Sequence, residues 1–189
     1  MHRYVMASPV GGLGLLVEDS PQGAALIEVR FGFEPPDDAA PAAGTLMADV
    51  VDQLERYFRG RLREFDLPLA VRTGSDFERD VWRLMAGIPY GRTVTYGEIA
   101  RELGDPAAAR AVGSACHHNP HPVIVPCHRV VGAGGKMVGF GGGVHRKRIL
   151  LELEAAASLG SWFGTDELLE PPTEGAVGAN REQRTYHAQ

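Results

Sequence analysis

Cysteine is scarce in this chain: Cys116 and Cys127 are the only two among 189 residues. Two thiols do not make a disulfide framework, and free thiols fit a reducing cytoplasm. Aromatic residues are few, at 7%, and no apolar run approaches the roughly 20 residues needed to span a bilayer. The opening MHRYVMASPVGGLGLLVED has no long apolar core and no cleavage site, so a secretory leader is not expected. No internal repeat is visible. These absences exclude a disulfide-stapled secreted domain, a membrane-spanning protein and a repeat array. What is left is a cytoplasmic globular protein, 44% apolar and 23% charged, with room for one ordinary domain or two small ones.

Positive charge is not lacking, but it is concentrated. The net charge of −5 is the sum of −4 over residues 1–75 (7 basic, 11 acidic), +2 over 76–154 (10 and 8) and −3 over 155–189 (2 and 5). Between Pro89 and Leu151, 8 basic residues face Glu98, Glu102 and Asp105, a local +5, and five of the seven histidines fall there. A basic segment inside an acidic protein can face a polyanion, although a solvated basic face has the same composition.

The pattern along the chain predicts an α+β protein. Residues 1–70 read as a small α/β unit. Leu13–Val17 and Ala25–Phe31, broken by glycines and Pro21, predict a short antiparallel sheet. The stretch PPDDAAPAAG is a loop. Leu46, Val50, Leu54 and Phe58 recur every four residues, as on an amphipathic helix, and Phe65, Leu67 and Leu69 alternate like one more strand. Residues 71–75 read as a linker, 76–157 as a second and mostly helical unit, and the polar, turn-rich residues 158–189 as a disordered tail. In the second unit, Ser75 or Asp76 can cap a helix whose Phe77, Val81, Trp82 and Met85 share a face. Thr95 precedes Glu98 at capping-box spacing. The helix it starts and the following AAARAVGSACH suggest a helix-turn-helix, a pattern that an ordinary helical hairpin also satisfies. A glycine-rich loop, GAGGKMVGFGGG, lacks the Gly-Lys-Ser/Thr ending of a phosphate loop, and a last helix runs from about His145 to Glu154.

The run VIVPCHRVVG, Val123–Gly132, reads as a buried strand, yet it carries a thiol, an imidazole and a guanidinium. Three readings of Cys127 compete. A structural thiol packs like a small hydrophobe but leaves His128 and Arg129 unexplained. A metal site would use Cys116, His117, His118, His121, Cys127 and His128, whose spacing lacks the paired arrangement of structural zinc sites; no metal and no cofactor are expected. A nucleophile needs help, because a free thiol has a pKa near ~8.5. His128 can supply that help if Glu154 or Glu152 orients it. Adjacent strand side chains point to opposite faces, so a bridging water between Cys127 and His128 is expected. A Cys-His hydrolase would use the same parts.

These residues carry a resemblance. PCHRV, preceded by Asn119-Pro120 and followed by GFGGG and a basic helix ending at Glu154, resembles the active-site segment of O6-alkylguanine-DNA alkyltransferases, the methylated-DNA–protein-cysteine methyltransferase family. The likeness runs from about Phe77 to Glu154 and less specifically into the first unit. It implies a ribonuclease-H-like first unit and a winged-helix-like second one. It also implies an irreversible single-turnover transfer of an alkyl group from O6-alkylguanine in double-stranded DNA, and by extension from O4-alkylthymine, to Cys127. In that scheme His128 takes the thiol proton through water, Glu154 orients His128 and Asn119 braces the turn. Tyr96 donates to the base ring, the Gly141 N–H bonds the guanine oxygen, and the carbonyls of Cys127 and Val130 accept the exocyclic amine. Phe140, where the family commonly has tyrosine, packs on the base.

Ala109, Ala111 and Gly113 would let the second helix of the pair enter the minor groove, with Arg110 filling the gap left by a flipped nucleotide. Arg129 is expected in an internal ion pair or on backbone carbonyls, and Cys116 has no assigned part. The implied partner is duplex DNA, bound by a monomer, with cooperativity left open. The rival reading is a non-catalytic alkyltransferase-like protein that binds alkylated DNA; those proteins lack the acceptor cysteine.

Overall fold

The computed structural model describes residues 1–34 and 41–162. The N-terminal part is an antiparallel meander of β1 (His2–Met6), β2 (Gly12–Ser20) and β3 (Gly23–Phe33), in that order across the sheet. On β2, Leu13, Leu15 and Val17 point into the core, the period of two expected of a half-buried strand. β1 was not expected, because its outer half is exposed and its apolar content slight. Of the loop PPDDAAPAAG, residues 35–40 lie outside the described residues.

Helix α1 (Leu46–Phe58) starts at Thr45, whose hydroxyl accepts from the Ala48 N–H. Its buried side chains are Met47, Val50, Leu54 and Tyr57, with Leu46 and Phe58 only partly covered. A strict four-residue spacing lags a 3.6-residue turn, so the inward face passes through Tyr57 rather than Phe58. The alternation of Phe65, Leu67 and Leu69 does not produce a strand. Leu26 meets Leu69 in a single parallel bridge, bonding the Pro68 carbonyl and the Ala70 N–H. Pro68 has no N–H with which to extend the ladder.

The C-terminal part is helical. Helix α2 (Asp76–Ala86) is closed by a Ser75/Glu78 capping box. The two-residue strand β4 (Val94–Thr95) leads into α3 (Tyr96–Glu102), where Thr95 and Glu98 form a second capping box. Asp105 caps a short 3₁₀ turn, Pro106–Ala108, that runs into α4 (Ala109–His117). The run Val123–Gly132 is not the strand its composition predicts. Val123 sits at φ 77, the Val125 N–H turns back to the His121 carbonyl, and Cys127–Arg129 form a 3₁₀ turn. Prolines at 120, 122 and 126 remove the donors a ladder needs. Pairing survives only in β5 (Val130–Val131), parallel to β4.

The last helix, α5 (Val144–Trp162), runs past the expected end near Glu154. The first five residues of the expected disordered tail are therefore helical, and residues 163–189 lie outside the described part.

Two cores form. Leu13, Leu26, Val50, Leu54 and Tyr57 centre one, which also takes in Val123 and Leu150. Val81, Trp82, Met85, Val112, Cys127 and Val130 belong to the other. The segment around Cys127 and helix α5 thus run along the seam between them. Among the described residues no helix is long and apolar enough to cross a membrane.

Candidate active site

The 3₁₀ turn buries Cys127, His128 and Arg129 together, at 4%, 0% and 5% exposure. Asn119 holds the approach to this turn. Its amide nitrogen donates to the Val125 carbonyl at 2.7 Å and its amide oxygen accepts from the His121 N–H at 3.0 Å. Two cavities reach Cys127. One, of about 60 Å³, is lined by Tyr96, Gly113, His117, Gly139 and Phe140 as well as both cysteines. The other, of about 680 Å³, opens between β3 and the α2–α4 pair, past Trp82, Pro122, Phe31 and Gly141.

Behind Cys127 lies a buried polar centre built on Glu154. His128 Nε2 is 2.8 Å from Glu154 Oε1. The Arg129 guanidinium donates to both carboxylate oxygens at 2.9–3.2 Å and to the Ile88 carbonyl at 2.5 Å. The Gly91 N–H donates to Oε2 at 2.9 Å. Burial alone would raise Glu154, but the hydrogen bonds and charges of His128 and Arg129 hold it at about 2. An ionised carboxylate only accepts, so His128 Nε2 carries the hydrogen and Nδ1 offers a lone pair. Nδ1 is buried and, among the described residues, has no hydrogen-bond partner. Burial keeps the ring neutral by pushing its pKa below the ordinary value, against the pull of Glu154. The result is an oriented, unprotonated imidazole on the same 3₁₀ turn as the thiol, one residue along the chain.

The thiol itself is not pre-ionised. Burial pushes Cys127 up to about 11, opposed by the Asn119 amide, the Lys147 charge and the N–H groups of Cys127 and His128. Lys147 was missed in the sequence, where it sits in the basic string HRKR and looks solvent-facing. Its side chain is fully buried, and Nζ donates to the Val130 carbonyl at 2.5 Å and, at 3.4 Å, to the Tyr96 hydroxyl and the Val138 and Gly139 carbonyls. Among the described residues no carboxylate pairs with it. Tyr96 donates to the Val138 carbonyl at 3.0 Å and is raised to about 12 by burial and the two thiols. The Val130 carbonyl therefore already holds one donor, as does that of Cys127, which accepts from the Val130 N–H.

The glycine-rich loop is fastened to the N-terminal part. The Phe140 ring lies 5.6 Å from Phe31, and Arg146 bonds the carbonyls of Val10 and Gly142 at 2.7 Å while covering Phe31. A Cβ on Gly142 would fall 2.6 Å from the Phe31 ring, so only glycine lets the loop approach so closely. On α4, Arg110 and Ala111 are exposed, Ala109 and Gly113 half-buried, and Gly113 lies against the Tyr96 ring. Cys116 is buried, contacts Met85 sulfur-to-sulfur at 3.4 Å and is raised to about 12, mainly by burial. The histidines considered for a metal diverge: His118 pairs with Glu78, His121 with the Leu26 carbonyl and His128 with Glu154. Among the described residues no group of three His, Cys, Asp or Glu converges on a metal position.

The chain matches two family models: the DNA-binding domain of 6-O-methylguanine DNA methyltransferase over residues 76–156 and the ribonuclease-like domain of the same protein over 1–71. It is 47% identical over 163 residues to the methylated-DNA–protein-cysteine methyltransferase of Mycobacterium tuberculosis, covering 82% of this chain and 92% of that protein. It is 42% identical to the one from Methanosarcina acetivorans, covering 82% and 99%. Among solved structures, Mycobacterium tuberculosis OGT in complex with DNA superposes with a TM-score of 0.71 at 46% identity, covering 83% of this chain and 94% of that one. With an oriented histidine base beside a buried thiol in the matching segment, the chain belongs to the methylated-DNA–protein-cysteine methyltransferase family.

Proposed function

We propose that the chain repairs O6-alkylguanine in duplex DNA by moving the alkyl group onto Cys127 in a single, irreversible turnover. The observation that carries this reading is the bare Nδ1 of His128, held ready by Glu154 next to a buried cysteine. The Cys127 proton passes through a water to Nδ1. Sγ then attacks the alkyl carbon, the S–C bond forms and the C–O6 bond breaks, and the electron pair leaves on the guanine. Tyr96, kept protonated by its surroundings, turns its one hydrogen from the Val138 carbonyl to the base ring, and the Gly141 N–H meets the guanine oxygen. The remaining lone pairs of the Cys127 and Val130 carbonyls take the exocyclic amine, with Phe140 packed on the ring. The neutral thioether is a poor alkyl donor and does not give the group up again, so the protein is consumed. O4-alkylthymine presents the same alkyl ether and is a second substrate.

DNA meets α4 through its exposed face. The small side chains of Ala109, Ala111 and Gly113 suit a minor groove, and Arg110 fills the stack when the damaged nucleotide turns outward. The protein acts as a monomer in the cytoplasm, where reducing conditions keep Cys127 a thiol. The test is the intact mass after mixing with duplex containing O6-methylguanine. One methyl should appear per protein, mapped to Cys127. Repeated turnover by a sub-stoichiometric amount, or a mass gain that survives Cys127→Ser, overturns the reading.

A further inference from the structure

One buried polar group near the site has no role in the reaction as proposed. Tyr57 belongs to α1 in the N-terminal part, 71 residues from His128 and 97 from Glu154. Its ring is fully buried and packs on Phe58 and Phe65 at 5.3 Å and on Tyr90 at 6.0 Å. A phenylalanine would fill that space, so packing does not explain the hydroxyl. A buried phenol costs stability unless it is bonded, and this one donates to Glu154 Oε1 at 2.7 Å, with His128 Nε2 a further 3.3 Å from its oxygen. Tyr57, His128 and Arg129 thus share one carboxylate oxygen.

We propose that Tyr57 is a positioning residue: its hydroxyl sets how strongly Glu154 holds His128, so that the N-terminal part tunes the base that activates Cys127. This rests on the reading of Cys127 as alkyl acceptor and His128 as its base. The physical argument is competition. Each donor on Oε1 draws charge from the carboxylate and weakens its attraction for an imidazolium at Nε2. The phenol is a permanent donor, since burial and the neighbouring carboxylate raise its pKa well above the ordinary value. The 3.3 Å contact from the phenol oxygen to Nε2 is longer and opposes this only weakly. The other groups acting on His128 are Arg129, Lys147 and Glu154, with Cys127 adjacent and Tyr90 edging against Tyr57 and stacked under Arg129. Of these, only Glu154 is bonded by the Tyr57 hydroxyl, and the effect of removing that hydroxyl runs through it.

The test is the pH dependence of single-turnover methyl transfer by the full chain, in wild type, in Tyr57→Phe, and with 3-fluorotyrosine placed at 57. Neutral His128 is the active form, so the rate falls on the acid side. Tyr57→Phe removes a competing donor, favours the imidazolium and moves that fall to higher pH by about one unit, the scale of one net hydrogen bond. Below the midpoint the variant is then slower by up to about tenfold, with unchanged DNA affinity. Fluorotyrosine, a stronger donor, shifts the fall to lower pH. Three coincident midpoints, or shifts in the same direction for both replacements, overturn the proposal. If Tyr57→Phe does not fold, the fluorotyrosine protein decides alone by whether its midpoint moves down. Absence of any methyl on wild-type Cys127 would instead overturn the alkyl-transfer reading itself.

Discussion

His128 is where the chemistry of a single residue can be read most directly. Its Nε2 is committed to Glu154 and, among the described residues, its Nδ1 has no partner, so removing the ring would remove the proposed base while leaving α4 untouched. His128→Ala should slow methyl transfer by about 10²-fold or more, the scale of lost acid–base help, with little change in affinity for duplex DNA. Rapid-quench transfer and equilibrium binding on the same oligonucleotide separate the two. Equal losses would make His128 structural. Cys127, His128, Glu154 and Asn119, which the structure gathers around one turn, could be singled out in the sequence as candidates because PCHR and its flanks stand in one recognisable order. Tyr57 and Lys147 were not. Tyr57 sits in an ordinary amphipathic helix 97 residues from its partner, and Lys147 lies in a string of cations where no local pattern marks the buried one.

At the scale of elements, the capping box at Thr95 and a cap at Ser75 were legible because their signals lie within four residues, whereas the part of Glu78 in a second capping box was not read. The strand around Cys127 was misread because its apolar composition is that of a strand, whereas prolines and the left-handed Val123 turn the backbone away from one. Helix α4 carries the prediction for this scale. Arg110 at its first turn is exposed and is assigned to the gap in the stack rather than to a phosphate. Arg110→Ala should therefore slow repair in duplex more than repair of the free alkylated base, which needs no flipping. The slope of log affinity against log salt should change by less than about one phosphate contact. Duplex repair left intact by Arg110→Ala, or free-base repair lost equally, would remove Arg110 from the stack.

For the molecule as a whole, the two cores meet across buried contacts that titrate. His121 is fully buried, bonds the Leu26 carbonyl across the seam at 3.0 Å and is pushed down to about 4 by burial. In the unfolded chain it takes a proton near its ordinary pKa of about 6.5, so the unfolded state gains protons first as pH falls. Stability should drop between about pH 6.5 and 4, by about 3 kcal/mol from this residue, with His128 adding in the same direction. Glu154, held at about 2, contributes stability above about pH 4.5 that is lost on further acidification. Urea midpoints measured against pH should follow this order, and His121→Gln, which keeps a donor for Leu26, should flatten the first slope. A slope unchanged by that variant would place the proton uptake elsewhere.

Lys147 adds a different asymmetry. Its ammonium is dehydrated among carbonyls, a hydroxyl and neutral thiols, and the resting fold gives it no counter-ion among the described residues. The methylated thioether gives it none either. In the proposed reaction an anion forms near it when Cys127 loses its proton, and the charge passes to the guanine, toward Tyr96, as the S–C bond forms. The cost of burying that charge is carried by the resting state and relieved as negative charge develops, so the interaction favours the transition state over the resting thiol. A chain that reacts once has no turnover to gain from tight binding at either end, and this lysine spends resting stability on speed.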